Sequence, residues 1–370
     1  MRRDDAPLIV FLPVFIYVYL CGKIKKGMIT ITSSPSGKVF SSDIPDLQFT
    51  VSDTVATVSI AVNGDYVYNE TLVPKGGKVT IDSLSSMLEV YAERWLVLAV
   101  TVTIREPIAS DSKSLDFTVL FSRADVGVAA SEFYENYFLS VLLGPKMTAM
   151  GRLEYLHYYG TEVPNCIATY DDWTTGSFTP TITAGNSRYT QIDVSPDSFT
   201  SAGKQLISYE VTAGSRRQQF LIDLSQPDCA PILLFDNSFG VQELIYCTGI
   251  HKVSPSYKRQ SARFGGLLRN YDIEETRSFQ ADTGVLTTAM ANWADELLRS
   301  KEIYVVNIYG GVANVGKEVL ITDSKSEYTN DDAELPRFTF TYQYAQRLHN
   351  VLQLQREGRI FDNTFDNTFN

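Results

Sequence analysis

Gly311-Val-Ala-Asn-Val-Gly316-Lys317 has the G-x-x-x-x-G-K spacing of a loop that cradles phosphate, and it follows a strand-like run. That chemistry needs Ser or Thr next, to hold Mg²⁺, and then a helix whose N-terminal amides face the phosphates. Here Glu318 follows, and then the strand-like "VLIT". An acidic side chain repels a nucleotide and the helix dipole is missing, so the stretch is expected to be a hairpin. Paired acids occur at Asp171-Asp172, Glu274-Glu275 and Asp331-Asp332. Glycoside cleavage wants two carboxylates facing each other across a cleft, whereas neighbours on a strand point to opposite faces. Solvated turns and edges account for these acids.

His157, His251 and His349 are scattered, and no G-x-S-x-G elbow or H-E-x-x-H helix accompanies them. His157 alternates with tyrosines in "YLHYYG" and reads as a satisfied sheet residue. Cys21, Cys166, Cys229 and Cys247 form no C-x-x-C pair and have no histidine at metal-ligand spacing, which points to buried or incidental thiols. A Cys229–Cys247 disulfide across a hairpin is supported only by proximity in sequence. Asn69-Glu70-Thr71 fits a glycosylation acceptor, a short match of little weight. No catalytic residue, metal site or cofactor is expected, and the chain reads as no enzyme.

The formal net charge of -11 disfavours binding to nucleic acid, whose affinity comes from Lys and Arg releasing condensed counterions. "SRRQQ" and "YKRQSAR" are too short to overturn this. With 370 residues and 44% hydrophobic content the chain can bury two or three cores, and 21 Tyr and 20 Phe among recurrent Thr, Val and Ile lean towards strand. The fold class read from this is mainly β, with tandem β-sandwich-like domains and a helix-decorated C-terminal β-domain.

Residues 1–27 carry an Arg-bearing start and then an apolar run, short for a membrane span. Three readings stay open: translation starting at Met28, a signal or anchor, or a folded segment. A membrane partner is expected only if this segment is genuine. Residues 28–122 alternate as a first sandwich, in which Asn63-Gly64 supplies the positive φ of a type I′ turn and should pair Val58–Val62 with Tyr66–Tyr68. "SLSSMLEVYAER" reads as a helix with Leu84, Met87, Leu88 and Tyr91 on one face. "REPIASDSKS" reads as a polar break before a last strand, and "RADVGVAASEFYENYFLSVLLGP" as a linker followed by a helix or strand. Residues 131–225 form the second β-rich domain, with hairpin grammar at Ala213-Gly214-Ser215. Residues 229–347 form the third, holding a helix with Leu286, Met290, Trp293 and Leu297 on one stripe and a strand turning Phe338, Phe340, Tyr342 and Tyr344 one way. In the arm 348–370, Phe361, Phe365 and Phe369 recur every fourth residue, a spacing fit to dock in an apolar groove. The loop "TYDDWTTGSF" offers Tyr170 and Trp173 as a surface for a glycan or receptor.

"LGPKMTAMGRLEYLHYYGTE", "LLFDNSFGVQELIYCTG", "IEETRSFQADTGVLTTAMANWADELLRS" and "RFTFTYQYAQRLHNVLQLQREGRIFDNTFDNTFN" resemble a poorly characterised family encoded by phages and prophages of Bacteroides-type bacteria among tail and baseplate genes. The likeness covers Met28 to Asn370, which favours the late start. It implies a non-enzymatic virion tail component, made in the bacterial host cytoplasm, whose partners are other tail or baseplate proteins and further copies of itself. It supplies no catalytic residues. The alternative is a carbohydrate- or receptor-binding module, exported or at a cell surface. Docking of the C-terminal arm in cis or in trans is left open.

Overall fold

The structure is a computed structural model and describes residues 28–185, 189–309, 312–327 and 335–345. The first unit contains β1 (Thr30–Ser33), β2 (Gly37–Phe40), β3 (Leu47–Thr50), β4 (Ala56–Val62), β5 (Asp65–Leu72), β6 (Lys78–Ile81), α1 (Leu84–Trp95), β7 (Val97–Glu106) and β8 (Asp111–Leu120). A sheet in the order β2-β8-β7-β4-β5 faces the small sheet β1-β3-β6. Every second residue of β4, from Ala56 to Val62, is buried, as strand alternation requires. The core they enter holds Leu47, Phe49, Leu98, Val100 and Val102, and Leu84, Leu88 and Ala92 of α1 close it. The Asn63-Gly64 turn has both φ values positive and sets Val62 opposite Asp65, giving the expected hairpin.

The polar break after Arg105 is a four-residue turn inside a long hairpin, not a gap between strands. β7 and β8 pair continuously from Val97–Leu120 to Glu106–Asp111. The Asp53 carboxylate accepts from the amides of Ile108 and Ala109 at 2.9 and 3.0 Å and pins that turn. Serines and a lysine at 112–114 are strand residues on the wet end of the hairpin, and their polarity disguised them as loop.

The second unit follows α2 (Ala130–Asn136) and comprises β9 (Lys146–Thr148), β10 (Tyr155–Tyr158), β11 (Asn165–Tyr170), β12 (Thr175–Phe178), β13 (Thr181–Gly185), β14 (Thr190–Asp193), β15 (Leu206–Ala213) and β16 (Arg216–Ile222). Sheets β12-β11-β15-β16-β9 and β10-β14-β13 enclose Tyr158, Ile192, Phe199, Tyr209 and Phe220. Tyr209 stacks on Phe220 with ring centroids 4.7 Å apart. Gly214, at φ 62, turns the β15–β16 hairpin.

The third unit comprises β17 (Ile232–Asp236), β18 (Gln242–Tyr246), β19 (Lys252–Phe264), β20 (Leu267–Asp282), α3 (Thr288–Arg299), β21 (Ile303–Tyr309), β22 (Val312–Glu327) and β23 (Arg337–Tyr344). It is one sheet, in the order β18-β17-β21-β22-β23-β20-β19, with α3 laid against it. Trp293 and Leu297 of α3 meet Phe338, Phe340 and Tyr342 of β23 in this core, as the two periodicities imply.

Residues 123–145, whose conformation the sequence leaves open, are a wedge at a junction. Phe133 and Tyr134 of α2 join Phe40 and Leu120 of the first unit and Phe239 and Val241 of the third in one apolar cluster. Phe133 stacks on Phe239 at 4.9 Å. A seven-residue helix is too short to be stable alone, so tertiary packing decides its conformation.

Candidate functional site

The described residues that could carry chemistry are mostly committed to structure. Gly316 and Lys317 lie within β22, which pairs with β21 as a hairpin, and Lys317 places its ammonium over the Tyr344 ring at 4.8 Å. Strand follows the glycine where a phosphate loop needs a helix. Asp172 accepts from the Thr174 amide and hydroxyl and pairs with Lys204 at 2.9 Å, contacts that hold its carboxyl down at about 2. Asp171 accepts from the Gln205 amide. Glu275 pairs with Arg277, and Glu274 stands opposite Lys258. Asp331, Asp332, His349 and Cys21 lie outside the described residues.

His157 is buried in β10, where desolvation lowers its imidazole to about 4 and keeps it neutral, opposed by a hydrogen bond with Gln191. His251 shares a 3.0 Å hydrogen bond between Nε2 and the Tyr342 hydroxyl, and burial lowers it as well. Cys166, Cys229 and Cys247 are free thiols, so the hairpin disulfide is not formed. Burial raises the Cys229 thiol, which is the wrong direction for a nucleophile. Among the described residues no group of His, Cys, Asp and Glu could hold a metal ion, and no helix is long and apolar enough to cross a membrane.

One buried titratable cluster escaped the sequence reading. Lys146 Nζ reaches Glu154 Oε2 at 2.7 Å and lies 4.5 Å from the centre of the Trp293 ring. Trp293 Nε1 donates to Glu243 Oε2, while Glu243 Oε1 accepts from Asn237 Nδ2 at 2.6 Å. Glu296, one helical turn beyond Trp293, accepts from the Ser238 amide at 3.2 Å. Burial and then the neighbouring Glu243 carboxylate raise Glu296 to about 7. Such shifts often mark catalysis. Here, however, the space bounded by Leu142, Lys146, His157, Phe220 and Glu243 is about 10 Å³, barely enough for one water. Lys146 of the second unit lies over Trp293 of the third, which in turn bonds Glu243, so the cluster joins the two units through polar contacts. Its only sequence trace is Glu296 falling on the apolar stripe of Trp293 and Leu297.

The loop expected to present Tyr170 and Trp173 together separates them. Tyr170 is buried and its hydroxyl donates to the Phe199 carbonyl at 3.0 Å. Strand alternation turns it inward at the end of β11, so Tyr170 is removed from the candidate surface. Trp173 is 80% exposed at φ 62, with its amide donating to the Tyr170 carbonyl at 2.9 Å. Phe361, Phe365 and Phe369 lie outside the described residues.

A further exposed surface lies at the edge of the third sheet. β19 and β20 pair along their whole length through a Gly265-Gly266 turn with positive φ at both glycines. Among the described residues, β20 has no partner other than β19 from Leu267 to Ser278, and β19 is the edge of its sheet. Ser254–Ser278 is therefore a two-stranded ribbon about 35 Å long by strand rise. Phe264, Leu267, Leu268 and Tyr271 are exposed near its tip. Lys258, Arg259, Arg263 and Arg269 lie between residues 258 and 270, a span without a carboxylate.

No protein-family model and no curated protein matches this chain. Among solved structures it is similar to the full extracellular region of plexin A4, at 8% identity and TM-score 0.21, covering 89% of this chain and 40% of that one. It is also similar to the I9–I11 tandem of titin, at 7% identity and TM-score 0.18, covering 87% and 91%. A three-domain titin structure, I67–I69, matches at 9% identity and TM-score 0.19, covering 69% of this chain and 92% of that one. The chain is mainly β, with two successive sandwiches and a helix-backed sheet.

Proposed function

We propose that this chain is a non-enzymatic structural component that works by gripping other protein surfaces, in a phage or prophage tail or baseplate as the resemblance implies. It would be made in the bacterial host cytoplasm and reside in the virion. The observation that carries this reading is the ribbon Ser254–Ser278. A free two-stranded hairpin is marginally stable in water, and its unpaired edges offer backbone donors and acceptors to a partner. The fate of the titratable groups agrees with it, since the buried cluster around Lys146 and Trp293 links the second and third units and the pairs Asp172–Lys204 and Glu275–Arg277 are satisfied within their own units.

The test is to delete residues 256–276 and join Pro255 to Arg277 through Asn-Gly. Folding, followed by circular dichroism, should be kept while co-assembly with the other tail proteins is lost. Assembly that survives the deletion, or substrate turnover abolished by changing one acid or histidine with folding intact, overturns the reading. The arm 348–370 with Phe361, Phe365 and Phe369 is proposed as a second gripping element, tested by truncation after Gly358.

A second reading, a module binding glycan or a host receptor, rests on Trp173. Its indole stands out on a turn fixed by the Asp172–Lys204 pair, a rigid platform of the kind that stacks on sugars. Retention on immobilised polysaccharide that Trp173→Ala abolishes would favour it.

A further inference from the structure

We infer that the ribbon binds a second copy of this chain, by adding β19 to the free edge of β5. The inference rests on the proposed assembly role and names the partner and the contact. Self-association of a chain with net charge -11 is opposed by repulsion unless a local surface of opposite sign makes the contact. The outer half of the ribbon, residues 258–274, is that surface: Lys258, Arg259, Arg263 and Arg269 outnumber Asp272 and Glu274, and Arg263 and Arg269 beyond the Gln260–Asp272 pair face no acid across the ladder. Its open backbone edges call for a protein strand and not a lipid surface, because a membrane would leave those amides and carbonyls unpaired.

The edge strands outside the ribbon are β1, β2, β5, β6, β9, β10, β12, β13 and β18, among the described residues. Of these only β5 carries two carboxylates, Asp65 and Glu70, and it has no cation. Both acids stand opposite core residues of β4, Asp65 against Val62 and Glu70 against Val58, yet both are exposed. Charges on the inward side of an edge strand guard it against apolar strands and against another β5. A strand bringing guanidinium groups to the same places meets no such penalty.

The spacings agree. Val62 and Val58 are four ladder steps apart, so Asp65 and Glu70 are as well, the extra residue being taken up by the irregularity at Ile60/Ala61. Arg259 and Arg263 are four residues apart on β19, whose own run is unbulged because the extra residue at Gln260/Ser261 is Tyr271 on β20. Each pair therefore spans about 13 Å along one face of its strand. From Ser256 to Phe264 β19 lacks proline, and among the described residues no strand pairs with its outer edge. Ribbon and receptor edge are different surfaces, so the contact is head-to-tail and propagates into a ring or a filament.

Light scattering on the full chain, eluted at low and at high salt, tests this. Wild type should self-associate and weaken at high salt. Arg259→Glu/Arg263→Glu and, separately, Asp65→Arg/Glu70→Arg should each weaken self-association on the order of a hundredfold, with unchanged circular dichroism. Mixing the two variants should restore association, because each ribbon then meets an edge of opposite charge. Double variants that assemble like wild type, or a mixture that stays apart, overturn the inference. So does a wild-type monomer whose ribbon instead retains it on phosphatidylglycerol vesicles. If wild type is monomeric and the Asn-Gly deletion still abolishes binding to other tail proteins, this contact falls and the assembly role stands. If the deletion changes nothing, both fall.

Discussion

Glu296→Gln should stabilise the protein at alkaline pH and leave it unchanged in acid. Glu296 is 6% exposed, its Oε2 has no hydrogen-bond partner, and the groups around its carboxyl are the Glu243 carboxylate, the Ser238 amide and, more distantly, Arg299. Folding raises its carboxyl from 4.5 to about 7, so the folded state holds the proton more tightly than the unfolded chain. Below pH 4.5 both states are protonated and the group costs nothing. As pH rises from 4.5 through 7 the unfolded chain ionises first, and stability falls by about 1.4 kcal/mol per pH unit to a total of about 3 kcal/mol. Glutamine keeps the shape and the Ser238 contact but cannot ionise, so the variant should gain about 3 kcal/mol over wild type at pH 8 and close to none at pH 4.5. The assay is urea unfolding at both pH values, read by Trp293 fluorescence in a background where Trp95 and Trp173 are phenylalanine. Trp293 is buried beside this carboxylate pair, whereas the other two are partly or largely exposed. A difference between variant and wild type that does not change with pH would refute the reasoning, because the effects of acids that do not interact with Glu296 cancel in it.

Lys146→Met should destabilise by about 3–5 kcal/mol in the same urea assay, since it leaves the buried Glu154 carboxylate uncompensated, and Lys146→Met/Glu154→Leu should recover most of that loss. Gly240→Ala should cost more than about 1 kcal/mol by thermal unfolding, because φ is 71 there and an added Cβ would come 2.5 Å from Leu96 Cδ2 of the first unit. Amide exchange in α2 should rise in the same variant, as its partner Phe239 shifts. Trp173→Ala should change thermal stability by less than about 0.5 kcal/mol, because the indole is solvated, so any lost glycan retention would report on binding alone.

What was legible in the sequence is what a half-buried element writes in it. β4 alternates because one face is core, α3 repeats every three or four residues because one stripe is core, and Asn63-Gly64 announces its turn through local backbone freedom. The ribbon writes no such pattern, because it buries neither face: "YKRQSARFGGLLRNYDIEETR" mixes charge and apolar residues without period, and only Gly265-Gly266 marks it. The Lys146–Glu154 pair is equally silent, since a charged residue in sequence looks the same whether it meets water or a partner brought in by the fold. Averaging hides the rest. A net charge of -11 argues against a nucleic-acid surface, but the same sum conceals a ribbon whose outer half carries four cations against two acids, and an edge strand with two acids and no cation. Arg263 and Arg269 face no acid across the ribbon's ladder, and β5 offers no cation to Asp65 or Glu70, so these local imbalances persist in the fold. For a protein whose buried charges are spent on its own cohesion, the surfaces left uncompensated are the ones available to a partner.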